Sequence, residues 1–150
     1  MATRTYTTRR QGIVDAIVEK LNAIDGSGQY HTDLSNNISP RLKFWDEVDE
    51  FPAVHINAGG ETREYLTGGV KNRFLTITLR CYVNEEDAVN ALDALLEDVE
   101  TVLEDNSGMT YTDKLGVSQG IQQITVLSID TDEGVLEPMG VAEMVAEVRY

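Results

Sequence analysis

The sequence predicts an α+β fold: a mainly antiparallel sheet with two helices packed on one face and an extended β arm. Three observations carry this. Two segments show helical spacing of apolar residues, one at the start of the chain and one in its middle. Each is followed by strand segments that alternate with period two. One strand pair, within residues 51–83, is interrupted by a long polar stretch. A ferredoxin-like split βαβ unit begins with a strand, so the opening helix departs from that topology. At 150 residues the chain makes a single domain, 1–150. A domain of that size buries a core without disulfide or metal.

Residues 8–24 form the first helix, with Ile13, Ile17, Leu21 and Ile24 on one stripe widened by Val14 and Val18. Gly26, Ser27 and Gly28 stop it. The following stretch is polar and broken by Pro40, with a short strand expected at 30–34 and one helical turn at 45–48. Strand segments then cover 53–58 and 74–83. In the second, Leu75, Ile77, Leu79, Cys81 and Val83 face one way, and Phe74, Thr76, Thr78, Arg80 and Tyr82 the other. That is a strand with one face covered by helices. Between the two lies a charged stretch with glycine pairs at Gly59-Gly60 and Gly68-Gly69. It is too long for a tight hairpin turn and too charged for a core, and the glycines suit turns or bulges.

Asn84 is placed as the N-cap of the second helix, with Glu85, Glu86 and Asp87 in its first turn. Ala88, Leu92, Leu95, Leu96, Val99, Val102 and Leu103 make its apolar stripe, and 106–108 end it. In the strand at 121–129 the alternation changes phase at Leu127, which calls for a bulge or a strand covered on both faces. Residues 130–134 form an acidic turn, and 141–150 a last strand.

Composition narrows the function. Twenty-six acidic residues against 12 basic ones give a net charge of −14, the wrong sign for a phosphate-binding surface. The densest basic group is Arg4, Arg9 and Arg10. Apolar runs are far short of the roughly 20 residues that span a membrane. The single cysteine, Cys81, excludes an internal disulfide and reads as a buried small hydrophobe. His55 reads as a strand histidine of structural or solvent-facing kind, and His31 as a loop residue. The run Asp130-x-Asp132-x-Gly134 lacks the rest of a calcium loop. No glycine pattern for phosphate binding follows Gly59-Gly60, and the carboxylates read as solvated charge on helix faces and turns. No catalytic residues, cofactor or metal are therefore assigned. Trp45 reads as a core anchor, with a partner contact as the alternative.

Several ordered features point to a family. They are a first helix carrying Arg10 and Ile13, the run Trp45-Asp46-Glu47-Val48 leading into Phe51-Pro52-Ala53-Val54, and Gly60-Glu61 followed by Tyr65. A strand over 75–83 entering an acidic helix, and a final strand ending in Arg149-Tyr150, complete them. In these the chain resembles the tail terminator (tail completion) proteins of long-tailed bacteriophages. The resemblance implies a non-enzymatic subunit of a hexameric ring. Such a ring caps the head-proximal end of the tail tube, ends tube polymerisation and offers a docking surface to the head connector. The implied partners are further copies of the chain, the tail tube protein and a head–tail connector or neck protein. DNA is expected only as a passing, repelled polymer. The implied location is the virion tail, with assembly in the host cytoplasm. Two other readings remain open: another neck or tube-like joint protein, and a dimeric ferredoxin-like domain that binds a small ligand. On the ring reading, Glu61, Arg63, Glu64, Tyr65, Lys71 and Trp45 contact a neighbouring subunit or the tube. Asp130, Asp132, Glu133 and Glu137 line the lumen or a ring face.

Overall fold

The computed structural model describes residues 8–34, 37–41 and 47–150. Trp45 and Asp46, the first half of the helical turn expected at 45–48, lie outside the described residues. Among the described residues two helices, α1 (Arg9–Leu21) and α2 (Ala88–Asp105), accompany seven strands. These are β1 (Ile38–Ser39), β2 (Ala53–Tyr65), β3 (Lys71–Asn84), β4 (Thr110–Thr112), β5 (Ser118–Gly120), β6 (Gln123–Thr131) and β7 (Met139–Arg149). The main sheet runs β1-β2-β3-β7-β6, and β4 and β5 form a separate small hairpin. Among the described residues β1 pairs with β2 in parallel and every other pairing is antiparallel. Strands β3 and β6, which flank α2 in the chain, run parallel with β7 between them, as in a split βαβ unit.

Both helices cover one face of the sheet, as expected. The apolar face of β3 is wholly buried at Leu75, Ile77, Leu79 and Cys81, and β7 adds Ala142, Met144, Ala146 and Val148. Burying each large aliphatic side chain is worth about 2 kcal/mol, which is why the alternation is strict here. Ile13, Val14, Ile17 and Leu21 of α1 and the full predicted stripe of α2 close the core from above. Burial pushes the Cys81 thiol up to about 12, so it stays protonated as a packing group. His55 is buried too, its ring 5.0 Å from that of Tyr82. Among the described residues no helix is long and apolar enough to cross a membrane.

Several boundaries differ from the sequence reading. Helix α1 ends at Leu21, not Ile24; Thr8 caps it by accepting from the Gln11 N–H at 3.1 Å. Ile24 is still buried, in the turn that follows. The N-cap of α2 is Asp87, not Asn84. Asn84 still pairs with Met139 in the sheet, and the Glu85 N–H donates to Pro138 at 2.9 Å. Three residues are then needed to turn the chain from strand to helix, so the acidic run precedes the helix. The expected strand at 30–34 is only an isolated bridge between Asp25 and Asp33. Strand β6 continues through Thr131, which moves the acidic turn to 132–138. The predicted phase change at Leu127 is a bulge: the register with β7 shifts between Val126 and Ser128. Strands β1, β4 and β5 were not expected, being two or three residues long and largely polar.

One carboxylate contradicts the reading of solvated charge. Asp98 on α2 is fully buried and faces the loop after α1. It accepts from the His31 N–H (2.9 Å), the Thr32 N–H (2.7 Å) and the Thr32 hydroxyl (2.6 Å). A loop with no apolar pattern of its own is thereby fixed to the core helix. Close packing of α1 on β4 rests on Gly12, where a Cβ would lie 2.4 Å from the Thr112 carbonyl oxygen.

Candidate functional site

The polar stretch of residues 59–73 is not an unstructured extension between two short strands. The β2–β3 ladder continues through it, to the pair Tyr65–Lys71. Thr62 pairs with Phe74, and the neighbouring strand β7 ends opposite that residue. Arg73 still exchanges both backbone bonds with Tyr150, at 3.2 and 2.9 Å; beyond that residue, among the described residues, the two strands project alone, by roughly 12 Å at about 3.4 Å per residue. The tip closes with the Leu66 N–H donating to Val70 at 2.7 Å, and Gly68 and Gly69 take φ of 84° and 80°. Those values require glycine. Tyr65 (67% exposed), Leu66 and Val70 (53%) present apolar surface at the tip. A two-stranded hairpin with both edges open is marginal in water by itself and is a template for further pairing.

The base of this arm is set by a bulge. Ala58 pairs with Ile77 and Glu61 with Leu75, so β2 carries one extra residue at Gly59-Gly60. Regular alternation would put Gly60 on the helix side; the bulge puts Glu61 there. Its side chain is 8% exposed and bonded to Arg63, with Arg63 Nε 2.9 Å from Glu61 Oε2. The Tyr150 hydroxyl donates to the other carboxylate oxygen, Glu61 Oε1. Arg10, from the start of α1, donates to the carbonyls of Ala58 and Gly59 and so grips the bulge itself. The Arg73 guanidinium lies 5.7 Å from the Tyr150 ring centre. Thus Glu61 and Arg63 are brought together at the arm's root. Tyr65 and Lys71 pair further out, with Lys71 Nζ 5.4 Å from the ring centre, and Glu64 is exposed opposite Asn72.

Burial pushes Glu61 up, but the hydrogen bonds from Tyr150 and Arg63 and the charges of Arg63 and Arg10 outweigh it; the carboxyl sits below its ordinary 4.5. Burial, then the bond to Glu61, pushes Tyr150 up to about 12. The two linkages have opposite sign. Glu61's contribution is present above pH 4.5 and is lost as pH falls through its lowered value. Tyr150's is present below pH 10 and is lost as pH climbs toward 12. Tyr150→Phe should therefore remove the tyrosinate absorbance that titrates last. It should also flatten the fall in melting temperature above pH 10, and both are readable in one alkaline titration series.

The four acidic positions gather at the opposite end of the sheet. Asp130 pairs with Glu143, and Asp132 accepts from the Gly134 N–H at 3.3 Å and the Leu136 N–H at 3.4 Å. Glu133 stands at the turn with φ 56°, and Glu137 lies beside Gly134. Among the described residues no cluster of ligating side chains could hold a metal ion.

Sequence reasoning missed a cleft of about 480 Å³ beside the arm's root, lined by Thr8, Arg9, Arg10, Glu61, Arg63, Arg73, Lys114 and Tyr150. One signal was available: Arg73 continues the period-two face of Leu75 and Ile77, so an arginine had to lie on the helix side at the sheet's end.

Comparison with known proteins agrees with this architecture. A solved chain from the virion of a native gene transfer agent particle has the same fold, with a TM-score of 0.55 at 11% identity over 92% of this chain and 93% of that one. The tail tube terminator protein p142 of Escherichia phage T5 is 34% identical over 149 residues, covering 94% of this chain and 92% of its own. The family model for the bacteriophage tail tube terminator protein matches residues 7–150. The chain belongs to the bacteriophage tail tube terminator family.

Proposed function

We propose that this protein forms a ring of identical subunits, six in number, at the head-proximal end of the tail tube. The ring ends tube polymerisation and gives the head connector its docking surface. The observation that carries this reading is the two-stranded arm, which leaves the sheet with both edges unpaired among the described residues and an apolar tip. Such an edge adds strands to a neighbour, and repeated head-to-tail contacts close into a ring. The family membership supports the role, since its members are named for terminating the tail tube.

The arm's occupant is the adjoining subunit or the last layer of the tube, through Glu64, Tyr65 and Lys71. A net charge of −14 keeps DNA from adhering as it passes. The acidic turn with Asp130, Asp132, Glu133 and Glu137 belongs to a ring face. Its neighbours Val135 (82% exposed) and Leu136 suit a protein contact better than a wet channel wall.

The test is assembly with purified tail tube protein. A light-scattering mass near six subunits, and tubes that stop growing when the protein is added, are expected. A stable dimer in whose presence tubes elongate without limit would overturn the reading.

A further inference from the structure

The chain is electrically polar along its sheet. The β3–β7 ladder runs from Phe74–Arg149 at one end to Asn84–Met139 at the other. Ten residue steps at about 3.4 Å separate these ends by roughly 34 Å. At the first end lies the cleft with Arg9, Arg10, Arg63, Arg73 and Lys114, five of the chain's 12 lysines and arginines. Among the described residues Glu61 is the one carboxylate side chain in its lining, and it is already held by Arg63 and Tyr150. Asp113, at the rim, is committed to its own turn through the N–H groups of Leu115 and Val117. At the second end Glu85, Glu86 and Asp87 stand beside the turn with Asp132, Glu133 and Glu137. No lysine or arginine interrupts either segment.

Apolar side chains accompany both charge sets. Leu115 (77% exposed) and Val117 (50%) adjoin Lys114 at the basic end, and Val135 and Leu136 lie inside the acidic turn. Exposed aliphatic residues ringed by charge are the composition of a protein contact. A chain this acidic has little reason to collect its cations in one concave place unless something acidic fills it. The surface that matches in charge and apolar content is the other end of the same chain.

We infer that the basic cleft of one subunit receives the acidic turn of the next copy, head to tail. This rests on the ring reading above and assigns the surfaces that meet. The contact is heterologous, so it propagates in one direction and closes when the rotation per subunit allows. Opposite potentials set its direction and speed encounter, and like ends repel.

Charge reversal at each end tests it. Arg9→Glu with Lys114→Glu cancels the cleft's positive charge, leaving three cations against three carboxylates, and Glu133→Lys with Glu137→Lys turns residues 132–138 net positive; all four side chains are exposed. Each pair alone should weaken self-association at least tenfold at low salt, with the thermal unfolding of the subunit retained. All four changes in one chain should recover part of the lost association, because the exchanged side chains again meet the opposite sign. In assembled rings, Lys114→Cys with Glu133→Cys should give an inter-subunit disulfide, and buried Cys81 does not compete. Two results overturn the inference while leaving the ring intact. One is normal ring assembly by both charge-reversed variants with no disulfide. The other is loss of self-association on reversing the cleft but not the turn, which would give the cleft to a different acidic surface of the same chain. A chain that never associates with itself, in solution or on tubes, removes the ring reading and this inference together.

Discussion

A variant in which residues 64–72 are replaced by Asn-Gly should fold but fail to stop tube growth. The pair Arg63–Arg73 is kept, and Asn-Gly is the two-residue turn that closes an antiparallel pair with the correct twist. The bulge, Glu61 and Tyr150 are untouched, so the arm's root should hold. What goes is the exposed ribbon with Tyr65, Leu66 and Val70. Asn72 is the one buried residue removed, so melting temperature should shift by only a few degrees. Assembly should suffer far more. Backbone pairing and a buried aromatic anchor together are worth several kcal/mol at an interface, which is 10²-fold or more in association. The readouts are ring mass by light scattering and tube length by electron microscopy. A variant that makes full rings and terminates tubes at the normal length would remove the arm from the mechanism.

Asp98→Ala should be the most destabilising single change outside the apolar core, costing about 3 kcal/mol. The buried carboxylate satisfies two backbone N–H groups and a hydroxyl at once. Removing it leaves all three donors without their acceptor at a half-buried site. For a domain of this size that is roughly 6–12 °C in melting temperature. Asp98→Asn keeps one acceptor oxygen but turns an amide N–H₂ toward the remaining donors, so it should recover less than half of the loss. Equal stability of the alanine variant and the parent chain would mean that the loop after α1 is held by something else.

How much was legible in the sequence follows from what each residue answers to. The strict alternation of β3, the stripe of α2 and the phase change at Leu127 were readable because each side chain there is set by one local period against one core. Asp98 was not read, although it lies on the stripe with Leu95 and Val102. A polar residue at a buried position is explained only by its partner, and that partner, the 31–32 backbone, lies 66 residues or more away in the chain. The polar stretch was read as an arm from its charge and glycines. Its continuation as paired strands was hidden, because a ribbon without a core face has no apolar period to show. The four acidic positions and the arm residues were each named as a group. That they occupy opposite ends of one sheet depends on the register of β3 with β7.

By itself, then, the sequence determined the fold class, the buried faces of the long strand and both helices, and the presence of a projecting polar segment. These follow from local periodicity and from burial of apolar area, which act residue by residue. Only the tertiary structure decided that Arg9, Arg63, Arg73 and Lys114 share a cleft with Tyr150, and that one bulge turns Glu61 into it. Such groupings are made by strand register and helix placement, long-range pairings that leave no pattern in any short window of the chain.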